Sequence, residues 1–310
     1  MMTSGDIEFE PDLPSSESPP AKMWDNTNPK IYMPTTSIVF MTAGDSGLQA
    51  EIMADAMADI DERFKREPNK WVDVKDAVES YLNSYDKAKT DRTKRAVLIP
   101  RGLDTNTFIS RQPEMNSEFI LDTTRHIHRY EADFREMHGV ETIITGIDNS
   151  GSHIYAVFKS ASGDHVTCCD SIGFAAVGIG GRHAESQFMM AGHNPYSNRE
   201  ETLLLTYMAK KRSEVAPGVG RETDMFVIGP RPGTIAMMGN ISDFDMKRID
   251  SIYKQMEREQ AKRFQAAKEK TKKYIAAMFA SRAEAEQQQK SQQGATGPTG
   301  STGPAPKATE

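Results

Sequence analysis

Residues 35–47 read Thr35-Thr36-Ser37-Ile38-Val39-Phe40-Met41-Thr42-Ala43-Gly44-Asp45-Ser46-Gly47. The first eight are β-branched, aromatic or apolar almost without interruption, the pattern of a strand buried on both faces rather than one facing water. Gly44 and Gly47 then free the backbone to turn out of the strand. Directly after them Leu48, Ile52, Met53, Ala56, Met57 and Ile60 recur at spacings of three and four, which predicts a helix with one apolar side. Pro68 closes it. Val72 to Tyr85 repeats the helical pattern through Val74, Val78, Tyr81, Leu82 and Tyr85, and two consecutive helices on a short loop are expected to pack antiparallel.

Working outward, residues 86–140 are first basic and then mixed, with Pro100-Arg101-Gly102 and a helix expected from Ser117 to about Met137; the stretch reads as a surface insertion that lengthens the second helix and a lid. The strand pattern returns in residues 142–148 and 152–158, which flank Asn149-Ser150-Gly151, a hairpin signal. His165–Asp170 and Phe174–Gly178 read as further short strands. Helices are expected at about 182–191 and 199–214, the second with Ser197 as N-cap and Glu200 at capping-box spacing, before a last core strand over Asp224–Gly229. Strand, two helices, several strands, two helices, strand is an α+β order, since βαβ alternation is missing. It fits a four-layer αββα sandwich spanning residues 29–232.

The ends differ from this middle. The chain has 310 residues, a net charge of −6 and 37% hydrophobic residues, below the roughly 45–50% apolar norm, because both termini are polar. Residues 1–28 carry Asp6, Glu8, Glu10, Asp12 and Glu17 with four prolines; such a segment buries too little to offset its ordering entropy and is expected to be mobile. A charged helix is expected over 241–285, with ten Lys/Arg and five Asp/Glu between Asp245 and Lys273, a net of +5. Interspersed signs and no aromatic platform argue against nucleic acid and leave a solvated helix or a partner-docking one. From Gly294 a glycine recurs at every third position through Gly303. This echoes collagen but is too short to wind a triple helix alone, so 286–310 reads as a flexible tail. No apolar run approaches the ~18 residues of a membrane span and no charged-then-apolar leader opens the chain. Cys168 and Cys169 are adjacent and form no disulfide framework, which fits a reducing, cytoplasmic setting.

The sequence contains no Walker A loop, no GxGxxG after a strand, no HExxH and no GxSxG elbow. Gly178-Ile179-Gly180-Gly181-Arg182-His183 follows an expected strand and opens an expected helix, a place where an anion could rest on free N–H groups; glycines there also serve a sharp turn. His126 and His128 are two residues apart, on different faces of a helix. His165 and Cys168 have a ligand-like separation that no second pair answers. Neither a metal nor a cofactor is therefore expected.

The ordered blocks nevertheless resemble one family, the proteasome-type β subunits of the N-terminal-nucleophile hydrolases. Met1-Met2-Thr3-Ser4-Gly5-Asp6 is similar to its Thr-x-Gly segment. Pro29-Lys30-Ile31-Tyr32 resembles its Lys-Ile-aromatic strand, and residues 38–45 its Ala-Gly strand before the first long helix. Gly146-Ile147-Asp148 with residues 151–155 resembles its Gly-x-Asp hairpin, and Val177–Gly181 stands where the family has a Gly-Ser-Gly turn. The resemblance implies threonine-type peptide hydrolysis, in which an N-terminal threonine hydroxyl attacks and its own amine is the base. It also implies a peptide or protein substrate and a homo-oligomeric ring. Lys30 matches the lysine that tunes the amine by like-charge proximity. Thr3, Ala43 and Gly44 match residues that pair with an extended substrate by strand addition, and Gly178, Gly180 and Gly181 shape the turn beside them.

Three departures mark the sequence. The segment that would hold the nucleophilic threonine and the aspartate supporting the lysine precedes Met1 in the family pattern. The serine of the Gly-Ser-Gly turn is Ile179, and the family's Arg-Asp and Ser-Gly-Gly become Arg212-Ser213-Glu214 and Ala216–Gly220. Two readings stay open: a proteasome-like peptidase, or a non-catalytic subunit that keeps fold and assembly surfaces and docks a partner through 245–273. A third, another amidohydrolase on the same fold, follows from how weakly fold fixes substrate.

Overall fold

The computed structural model describes residues 30–67, 72–158, 165–231 and 234–295. Thr3, the acidic stretch 1–28, Pro68 and the glycine triplets beyond Ala295 lie outside them. The elements run β1 (Ile31–Tyr32), β2 (Ile38–Gly44), α1 (Ser46–Arg66), α2 (Val74–Thr93), α3 (Thr105–Ser110), α4 (Ser117–His138), β3 (Val140–Asp148), β4 (Gly151–Phe158), β5 (His165–Cys168), α5 (Gly181–Met190), α6 (Arg199–Ser213), β6 (Phe226–Arg231), β7 (Thr234–Asn240) and α7 (Asp243–Ala295). β1 to β5 form one antiparallel sheet in chain order, and β6 and β7 pair as a separate two-stranded sheet. The chain is therefore mixed α and β.

The apolar run at 38–43 is explained by burial on both faces. Side chains alternate across a strand, and Ile38 and Phe40 join Val140, Ile144 and Val157 under α1, α2 and α4. Val39 and Met41 join Ile143 and Ala156 on the opposite face, together with Cys169, Ala175, Val177 and Ile228. Expected boundaries move for local reasons. The Thr35 hydroxyl accepts from the N–H groups of Ser37 and Ile38, turning residues 35–37 so that β2 begins at Ile38.

Asp45 caps α1 by accepting from the Gly47 and Leu48 amides. α1 and α2 are antiparallel, as their cross-links show: Asp59 meets Ser80, Asp55 meets Lys87, and Glu51 meets Arg92. α2 runs eight residues past Tyr85 into the stretch expected to lengthen it, because Ala88 and Thr93 continue its buried side. The stretch read as a surface insertion supplies core: Phe134 of α4 is fully buried and packs edge-on against Tyr85. The N-cap of α6 is Asn198, which accepts from Glu201 N, while the Ser197 hydroxyl accepts from Asn194 N instead.

Residues 174–177 correct the expected strand there: they run without ladder pairing. They still behave as a two-faced extended segment. Ala175 and Val177 face the five-stranded sheet. Phe174 and Ala176 face the other way, against Ala184 and Phe188 of α5 and Leu205 and Ala209 of α6.

From Asp250 the chain belongs to a second unit, helical as far as Ala295. Phe264, Tyr274 and Phe279 are exposed along it. Among the described residues no helix is long and apolar enough to cross a membrane.

Candidate functional site

Five of the six site residues expected inside the described region lie on two segments that Glu141 links. Ala43 and Gly44 end β2 and pair with Glu141 and Val140 at the start of β3. Gly44 sits at φ +118°, and a Cβ there would stand 2.1 Å from the Gly139 carbonyl oxygen. Glycine is required here by the close approach of two backbones. Glu141 reaches across with Oε2 and accepts the Gly178 N–H at 2.7 Å. Gly178 has φ +84°, which lets the chain turn from the extended segment 174–177 into α5, where Gly180 is the N-cap and Gly181 the first residue. The Gly178 N–H of the glycine turn is thus taken by the chain's own Glu141. One turn into α5, burial pushes the Glu185 carboxyl above its ordinary range; Arg182 opposes this and the Glu141 charge adds to it. Ile179 is 72% exposed.

Lys30 lies just before β1. Its carbonyl accepts the Thr42 N–H at 2.8 Å, so it stands opposite Thr42, next to Ala43 in the register. Thr3 lies outside the described residues.

A second polar cluster sits at the β3–β4 hairpin. Asp148 is almost wholly buried: Oδ1 accepts from the Ser150 N–H at 2.8 Å and the Ser150 hydroxyl at 2.6 Å, an Asx-type turn. Its Oδ2 accepts the Val74 N–H at 2.9 Å, supplying to the α2 N-terminus the cap that Asp73 does not make. His153, the third residue of β4, places Nε2 at 2.7 Å from Ser150 Oγ and 3.4 Å from Asp148 Oδ1. Its Nδ1 lies 2.7 Å from Asp170 Oδ2, and Asp170 is held by the Ile154 N–H at 2.7 Å.

These contacts set the protonation. The hydrogen bond to Asp170 raises the His153 pKa, burial opposes, and the Asp148 charge adds to the rise. Burial works to raise both Asp148 and Asp170, but their hydrogen bonds outweigh it and both carboxyls stay below their ordinary value. A cleft of about 470 Å³ opens on the cluster, lined by Asp73, Lys75, Asp148, Asn149, Ser150, His153 and Tyr155.

Sequence reasoning passed over this cluster. The Asp148–Ser150 spacing is legible as an Asx turn, whereas Asp170 is brought to His153 only by the β4–β5 pairing. His126 instead bonds the Asp122 carbonyl one turn back, and among the described residues no group of three or more His, Cys, Asp or Glu could hold a metal ion. Both cysteines are free. The chain matches no protein-family model and no curated protein.

Proposed function

We propose that this chain is a proteasome-like subunit with the four-layer αββα architecture of the N-terminal-nucleophile hydrolases, a family whose reaction is threonine-type peptide hydrolysis. The observation that carries the reading is the two-faced segment 174–177. It turns Ala175 and Val177 onto the five-stranded sheet and Phe174 and Ala176 onto α5 and α6, which gives the order helices, sheet, extended layer, helices. The meeting of Ala43 and Gly44 with the Gly178 turn through Glu141 supports it. In this reading Lys30 tunes the attacking amine, Ala43 and Gly44 offer backbone to an extended peptide, and the subunits close into a cytoplasmic ring.

A second reading, a non-catalytic subunit of such a ring, is favoured by Ile179, which offers no hydroxyl, and by the Gly178 amide being taken up by Glu141. Native mass spectrometry of the full chain with a fluorogenic-peptide assay decides between them. A ring that cleaves peptides, and loses cleavage in Lys30→Ala, supports the peptidase. A ring without cleavage supports the structural subunit. A monomer that cleaves nothing overturns both.

A further inference from the structure

Ser150, His153 and Asp170 stand in the order and at the spacing of a nucleophile, a base and the group that orients the base: 2.7 Å from Oγ to Nε2 and 2.7 Å from Nδ1 to Oδ2. Such a constellation is recognised by geometry and roles, whatever the fold and the chain order. Ser150 is exposed on a hairpin turn and lines a cleft of about 470 Å³, a size that holds a small ligand. We propose that Ser150 is a serine nucleophile that takes the acyl group of small carboxylic esters, with His153 as general base and Asp170 holding the ring. The site is separate from the one at Gly44 and Gly178, and the proposal does not depend on the peptidase reading.

The step is an ordinary acyl transfer. Ser150 Oγ attacks the ester carbonyl carbon and its proton passes to His153 Nε2, while the carbonyl π pair moves onto oxygen. Lys75 and Asn149 line the same cleft, and their ammonium and amide groups are of the kind that stabilises charge on that oxygen. The bond to the leaving alkoxide then breaks, and the alkoxide takes the proton from Nε2. Water repeats the sequence on the acyl-serine, releasing the carboxylic acid and restoring the Ser150 hydroxyl. Asp170 keeps the Nδ1–H throughout, fixing the tautomer that leaves a lone pair on Nε2.

Asp148 sets the working range. When the ring is protonated, Nε2–H donates to Ser150 Oγ and the hydroxyl hydrogen lies on Asp148 Oδ1. When the ring is neutral, the hydroxyl hydrogen can turn to Nε2. The titratable and charged groups around the ring are Asp148, Asp170 and Tyr155, with Cys168 beyond Tyr155, and Asp73 and Lys75 across the cleft. The hydrogen bond to Asp170 and the charge of Asp148 raise the pKa of the ring, so reactivity rises with pH as the ring gives up its proton.

The test uses a fluorophosphonate, which labels activated serines, on the full chain at about pH 6 and about pH 9, with the adduct mapped by mass spectrometry. The expected adduct is on Ser150, forming faster at the higher pH, and slowed about a hundredfold or more in His153→Gln. Asp170→Asn slows it with the fold intact, because the wrong tautomer is favoured. The wild-type result stands alone should a variant fail to fold: no adduct on Ser150 at the higher pH, or a rate that ignores pH, overturns the proposal. An equal rate in a folded His153→Gln protein does the same. A mapped adduct is read independently of peptide cleavage and ring formation, so this result and the peptidase result succeed or fail separately.

Discussion

Replacing Phe188 by alanine tests the layer on which the functional reading rests. Phe188 is 3% exposed, and its ring stacks on Phe174 with centroids 4.8 Å apart and planes 11° apart. His193 packs on it as well, at 5.2 Å. Truncation removes the stacked pair and leaves a cavity between α5 and residues 174–177. Buried Phe→Ala changes cost about 3–5 kcal/mol. For a folded body of this size each kcal/mol moves Tm by about 2–4 °C, so Phe188→Ala is expected to melt roughly 6–20 °C below wild type. Met190, two residues on, is 84% exposed, and Met190→Ala is expected within about 0.5 kcal/mol of wild type. Urea unfolding followed by circular dichroism gives both values, and amide exchange reports whether protection is lost first in 174–188. A Phe188→Ala protein within about 1 kcal/mol of wild type refutes the packing of α5 and α6 onto that segment.

Two further outcomes follow from local geometry. Gly44→Ala forces a side chain into φ +118° with its Cβ 2.1 Å from the Gly139 oxygen, so it is expected to cost more than about 3 kcal/mol by urea unfolding. Gly102→Ala, at φ +70° with open space around it, should cost only about 1–2 kcal/mol. The pH dependence of stability carries the mark of His153. Its folded pKa is raised, so its contribution is complete below the unfolded value near 6.5 and is lost as pH rises through the folded value. His153→Gln therefore narrows its stability deficit against wild type as pH rises through that window, as thermal melts read it; a constant deficit contradicts the pairing. Asp148 and Asp170 act in the opposite sense, their contribution being lost only in acid, as pH falls below about 3.8 through their lowered folded values.

Much of the fold was legible because it is written locally. Gly44, Asp45 and the spacing of Leu48, Ile52, Ala56 and Ile60 place the exit from β2, the cap and the buried face of α1, since each depends on residues a few positions apart. The hairpin at Asn149-Ser150-Gly151 is local in the same way. Ser197 and Asn198 show the limit of that reasoning. Both are good caps, and the choice fell to Asn198 because the Ser197 hydroxyl accepts a different amide. Phe174–Val177 has strand composition, yet residues 174–177 make no ladder, and pattern alone does not distinguish a paired strand from an extended segment packed on both sides.

The amino-acid order by itself determined the mixed α and β character, the double-sided burial of β2, the antiparallel pairing of α1 with α2 and the charged helix that begins at Asp243. These are matters of periodicity and short-range sterics. Only the tertiary structure decided that Asp148 caps a helix 74 residues earlier in the chain, that Glu141 fills the Gly178 amide 37 residues later, and that Asp170 reaches back to His153. Those partners meet through sheet register and packing, and a buried carboxylate must find a donor wherever the fold brings one.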